Sequence, residues 1–176
     1  VQVGTTNLEK LEESLETIFE DTNASFENYR TIQSYKKLSM QMLVLNRREQ
    51  QVRTDEGREG YERVVNDPRM LDLSENLPVR ASSFYLQTFF IYHFATRDYE
   101  KSMEYASRVV TLMEEHQYIV QERPENYINA LQNQVMISTM CRPLPYSLDL
   151  IKGLKDFTKR CPKVKFDKAT AEKIPL

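Results

Sequence analysis

Two histidines, two cysteines and an adjacent pair of serines are the residues of this 176-residue chain best suited to chemistry. Their spacing decides which reactions are open to them. A serine or cysteine nucleophile needs a base beside it. Ser82-Ser83 stand at an expected helix start, without the Gly-x-Ser-x-Gly turn that exposes a serine nucleophile. Cys141 lies at a helix end near Pro143, with no base next to it in sequence. Cys141 and Cys161 are not spaced as a metal or redox pair and read as free thiols of a reducing compartment, a single disulfide between them being the alternative. His93 and His116 cannot share a helix turn, and His93, between Tyr92 and Phe94, reads as a packed residue. Glu114-Glu115-His116 has the side chains of a metal site, but its position reads as a solvated helix end. Glu12 and Glu16 are ordinary helix charges. The four glycines are scattered, so no loop is built to cradle phosphate. No catalytic, cofactor-binding or metal-ligating residue is assigned, no cofactor is expected, and the chain is not read as an enzyme.

Charge narrows the partners further. A net charge of −2 gives no general attraction to nucleic acid or to an anionic membrane. Arg47-Arg48 with Arg53, and a basic end running from Lys152 to Lys173 around Phe157 and Phe166, read as solvated surface. Seven acids face one lysine between Val1 and Glu27, and the acidic and basic ends read as two solvated faces, the sharper alternative being that they attract each other or a neighbouring subunit. No apolar run approaches membrane-spanning length, and a cytoplasmic location is expected.

The elements that would carry these residues are helices. Glu, Lys, Leu, Met, Tyr and Phe dominate, and glycine is rare. A first helix is expected over Asn7–Glu20 on Leu8, Leu11, Leu15, Ile18 and Phe19. Asp21-Thr22-Asn23 are capping types and predict a break. A second, long helix follows from Ser25 to Arg48, with Phe26, Tyr29, Ile32, Tyr35, Leu38, Met42 and Leu45 on one face. Met40, Leu43 and Val44 widen the belt and predict burial on more than one side. Thr54-Asp55-Glu56 open a short helix that Asn66-Asp67-Pro68 end. A strongly apolar helix is expected from Pro78, another from Asp98 to Glu115, a loop over 116–123, a helix opened by Pro124, and one from Tyr146 to Cys161-Pro162. The run Lys168–Ile174 predicts one more helix, cut short at Leu176, and an array that continues past it.

Residues Ser83–His116 resemble a tetratricopeptide repeat, a helix–turn–helix unit of about 34 residues. Leu86 and Phe89 fall in the first apolar slots, Asp98-Tyr99 open the second helix, Ser102 takes a small-residue slot, and Tyr105, Val109, Val110 and Leu112 fit the remaining pattern. Phe90 stands where the family keeps a small residue and Ala106 where an aromatic is common, a reciprocal exchange of volume. The stretch from Arg97 to Ser138, with its "PENYINAL" segment, is similar to a set of bacterial proteins that themselves resemble tetratricopeptide arrays. That resemblance implies a cytoplasmic bacterial helical-repeat protein and carries no activity with it.

The expected fold is therefore all-α, antiparallel helix hairpins stacked as a right-handed tetratricopeptide-like superhelix. It would have a degenerate N-terminal helical hairpin region over 1–77 and repeats over 78–176, all in one continuous domain. The expected job is to hold a protein or peptide partner in a groove lined by first helices. Tyr85, Tyr92 and Tyr127 are the candidate groove residues, because tyrosine joins contact area to a polar tip. The alternatives are a dimerisation or regulatory module of a larger bacterial signalling protein, self-associating through its first two helices, and a helical hydrolase or metal enzyme.

Overall fold

In a computed structural model of the chain, residues 3–49, 52, 54–71 and 77–160 are described, and every regular element among them is an α-helix. These are α1 (Val3–Glu49), α2 (Asp55–Val65), α3 (Pro68–Leu71), α4 (Val79–Ala95), α5 (Tyr99–Glu115), α6 (Gln117–Glu122), α7 (Pro124–Cys141) and α8 (Leu144–Arg160). The helix expected over Lys168–Ile174 lies outside the described residues, as do Arg53, Cys161 and Phe166.

The core begins at α4, whose Ala81, Tyr85, Leu86, Thr88, Phe90, Ile91 and Ala95 are all buried. Helix α5 folds back on it through a turn closed by Arg97, which takes φ 64°. The Asp98 amide donates to His93 O and the Arg97 amide to Phe94 O, satisfying the last carbonyls of α4. Asp98 then caps α5 by accepting from the Lys101 amide. Phe89 stacks on Tyr105 at 5.2 Å, and Tyr99 packs 6.2 Å from Phe94, so both expected seam residues sit against the core. Phe90 and Ala106 are both buried and line one depression.

From α4 onward each helix packs antiparallel on the next long one, and each crossing carries a hydroxyl. Ser102 Oγ of α5 donates to Phe90 O of α4 at 3.1 Å, fully buried. Gln134 Nε2 of α7 donates to Ser107 Oγ of α5 at 3.1 Å. Ser138 Oγ of α7 donates to Ser147 Oγ of α8 at 2.9 Å. Small side chains let the backbones approach, and the hydrogen bonds satisfy the polar atoms that close approach buries. Across the ends of these pairs, Tyr127 Oη donates to Glu114 Oε1 at 2.7 Å, and Arg142 pairs with Glu100 at 2.8 Å. Residues 117–122, expected as loop, form the short helix α6, which buries Ile119 and Val120.

The N-terminal region departs most from expectation. No break occurs at Asp21-Thr22-Asn23, and the two expected helices are one. Thr22 Oγ1 donates to Ile18 O inside the helix instead of capping a new one. The two expected helices therefore form no hairpin with each other; α2 turns back on the end of α1, with Gly57 beside Glu49 and Gly60 beside Leu45, and α1 runs in the same direction as α4, with Tyr35 against Tyr85 and the Val52 amide donating to Ala95 O. The expected single face also divides. Phe26, Tyr29, Ile32, Tyr35 and Leu38 advance by three residues, and each such step turns the side chain about 60° around the helix. Tyr35, Leu38 and Met42 are buried, whereas Phe26 and Tyr29 are exposed. Burial near the C-terminal end is one-sided, since Met40 and Val44 are also exposed. Gly60 of α2 lets Leu45 approach; a Cβ there would meet Leu45 Cδ2 at 3.3 Å.

Among the described residues, the large apolar side chains that α1 exposes are Leu11, Leu15, Ile18, Phe19, Phe26, Tyr29, Met40 and Val44. At helical pitch all of them fall within a stripe roughly 110° wide. It points away from the face that carries Tyr35, Leu38 and Met42.

Candidate functional site

The most distinctive surface lies between α4 and α7. Two depressions, of about 200 Å³ and 300 Å³, adjoin there and share Gln87 and Asn126 in their walls. Ala106 and Val109 of α5 lie at the bottom of the smaller one, with Phe90 of α4 and Ala130 of α7 beside them. Its rim on α7 is Asn126, Asn129 and Asn133. Their spacing of three and then four residues places three carboxamides on one helix face, one above another. Helix α7 offers them because its apolar side chains Ile128 and Leu131 turn toward its neighbours. Opposite stands Gln87, half-buried, donating to Ser83 Oγ at 3.3 Å. The larger depression is lined by Ile32 and Lys36 of α1, Arg80 of α4, and Glu122 and Arg123 around α6. Arg80 and Glu122 pair across it.

Each carboxamide offers two donors and one acceptor without carrying charge. A row of them above an apolar floor can hydrogen-bond successive peptide groups while the floor receives side chains. The groups whose titration is displaced lie elsewhere. Burial pushes the Tyr61 and Tyr85 phenols and the Cys141 thiol up, and Asp67 is held down by its hydrogen bond to Arg69. The His93 imidazole is pulled below its usual 6.5 by burial, with Asp98 opposing from 3.5 Å.

The three sequence-predicted tyrosines are not brought together. Tyr85 is buried beneath Tyr35 and Phe89. Tyr127 is buried, edge-on to Phe157 at 4.7 Å and bonded to Glu114. Tyr92 is half-buried and lines a different depression with Val52, Arg58 and Glu62. The residues weighed for chemistry also have structural partners. Ser83 accepts from Gln87, Cys141 Sγ lies 3.3 Å from Ile137 O, and His93 stacks on Tyr105 at 5.4 Å. His116 and Ser82 are half-buried and remote from each other in the chain. Among the described residues no three His, Cys, Asp or Glu side chains converge on a metal-sized site. Sequence reading passed over Asn126, Asn129 and Asn133, although their three-and-four spacing on a helix stripe is the same signal that marks a core face.

Comparison with models of known protein families, with curated proteins and with solved structures finds no match to this chain.

Proposed function

We propose that the chain is a helical-repeat scaffold, tetratricopeptide-like and cytoplasmic, that holds a peptide segment of another protein in the trough between α4 and α7. The antiparallel pairs α4–α5 and α7–α8 would be successive hairpins of a right-handed stack, and no bond-making step is involved. One observation carries the reading: Asn126, Asn129 and Asn133 stand in register over a floor of Phe90, Ala106, Val109 and Ala130. Rigid helices already hold these amides in place, so a peptide docking there meets little ordering cost on the protein side. At the far end Arg80 is paired with Glu122, and the remaining cations Lys36 and Arg123 favour a peptide with an acidic residue.

Selection from a displayed peptide library tests this, followed by titration of the enriched peptides. The expected result is enrichment of one motif. Its affinity should fall about fivefold for each of Asn126→Ala, Asn129→Ala and Asn133→Ala, the worth of one net hydrogen bond of about 1 kcal/mol. A control substitution on α8, Asp149→Ala, should leave affinity unchanged. No enriched motif, or peptides indifferent to all three asparagines, would sink the proposal.

A further inference from the structure

The exposed stripe on α1 needs a cover, and the charges of α1 say which one. From Lys10 to Arg30 every residue is exposed, yet leucine, isoleucine and phenylalanine recur among them on one side. The recurrence has a period of eleven. Leu15 is followed by Phe26, and Ile18 by Tyr29 and then Met40. An eleven-residue period is about 3.67 residues per turn, close enough to the α-helix for the stripe to run nearly straight along α1. Its large side chains are 53% to 73% exposed. Together they present on the order of 900 Å² per copy, against about 800 Å² per partner in a standard stable interface.

Charge divides α1 into halves. Leu8–Glu27 holds seven carboxylates and one lysine, whereas Asn28–Glu49 holds five cations and one carboxylate. A parallel pairing of two such helices would set acid on acid and base on base. An antiparallel pairing sets each acidic half against the basic half of its partner. The same arrangement matches the stripe to itself about a two-fold axis between Glu27 and Asn28. Phe26 meets the partner's Tyr29, Leu15 meets Met40, Leu11 meets Val44, Thr22 meets Gln33, polar on polar, and Ile18 and Phe19 lie under the aliphatic stems of the partner's Lys37 and Lys36. The body of each copy packs on the opposite side of its own α1, so the two bodies stand clear of the pair.

We infer that α1 pairs antiparallel with α1 of a second copy of this chain through its outward stripe, making a symmetric homodimer. The inference does not rest on what the trough binds, although Gln33 and Lys36 border both surfaces.

Sedimentation equilibrium over a range of concentrations tests it, with circular dichroism to follow the fold. Wild-type protein is expected to form a dimer. Phe26→Glu, at the axis, should raise its dissociation constant at least a hundredfold without changing helix content or the unfolding midpoint of the body. Lys36→Glu/Lys37→Glu and Glu16→Lys/Asp21→Lys should each weaken self-association, and an equimolar mixture of the two variants should restore a dimer. A wild-type monomer at high micromolar concentration overturns the inference. So does a dimer insensitive to Phe26→Glu, a mixture that stays monomeric, or capture of a different helix on the stripe by a chain that does not self-associate.

Discussion

Single side chains in this molecule act mainly through fit and burial. His93 illustrates the consequence for pH. Its folded-state pKa lies below the ordinary 6.5, because burial disfavours the imidazolium more than Asp98 favours it. The unfolded chain therefore binds the proton more readily. The His93 contribution is fully present above about pH 6.5 and is lost as pH falls through the lower folded value. Urea unfolding at pH 7.5 and pH 5 should show a decline in stability that His93→Gln reduces. Tyr61 offers a second test. Its hydroxyl is fully buried and finds no hydrogen-bond partner among the described residues, nor does Asn46 Oδ1. Tyr61→Phe removes an unsatisfied donor while keeping the ring, and should be neutral or stabilising by up to about 1 kcal/mol. Glycine gives a third. A Cβ at Gly153 would meet nothing within 4 Å, so Gly153→Ala should gain about 1 kcal/mol of helix propensity, measurable as a raised urea midpoint. At Gly60 the same change gains less, because Leu45 must give way. At this scale the sequence was a partial guide. It marked His93 as a packed residue, and its ring stacks on Phe89 and Tyr105. It could not tell which tyrosines face outward, since Tyr85 and Tyr127 are covered by residues distant in the chain.

At the scale of elements, periodicity was a good guide wherever a proline or a side-chain cap coincided with a turn of the chain. Pro124, the Thr54 cap and the Asp98 cap each stand where a helix begins. The error over α1 shows the limit. Asp, Thr and Asn cap a helix that has a reason to end, such as a proline or a turn that buries its flanks. Without one, helix propagation continues through them. The short α6 was missed because one and a half turns carry too little periodicity to register. Two elements invite tests. Arg97 holds a left-handed conformation at the end of α4, where glycine is favoured. Arg97→Gly should stabilise the protein by up to about 1 kcal/mol. Ser102 is fully buried where α5 crosses α4. Ser102→Leu forces the helices apart and should cost about 1–3 kcal/mol, read as a lowered thermal midpoint.

For the whole molecule, a serial stack predicts graded stability. Helices α4 and α5 are packed on both sides, whereas every residue of α1 from Lys10 to Arg30 is exposed. Native-state hydrogen exchange should find the slowest amides in α4 and α5, and in a Phe26→Glu monomer the fastest helical amides in the first half of α1. In wild-type protein those same amides should slow with rising concentration. An all-α composition was legible from the sequence because residue types and spacing agree throughout. The arrangement of α1 was not, because its direction relative to α4 depends on where α2 and α3 turn the chain.

The length of α1 carries a final consequence. At about 1.5 Å per residue it spans roughly 70 Å, and the body grips only its C-terminal part, from Thr31 onward. Two such rods lying antiparallel along each other would hold their bodies at a fixed spacing, each with its own trough. A ligand carrying two recognition segments on a tether that bridges that spacing would gain avidity, while one with a tether too short would bind no better than a single segment.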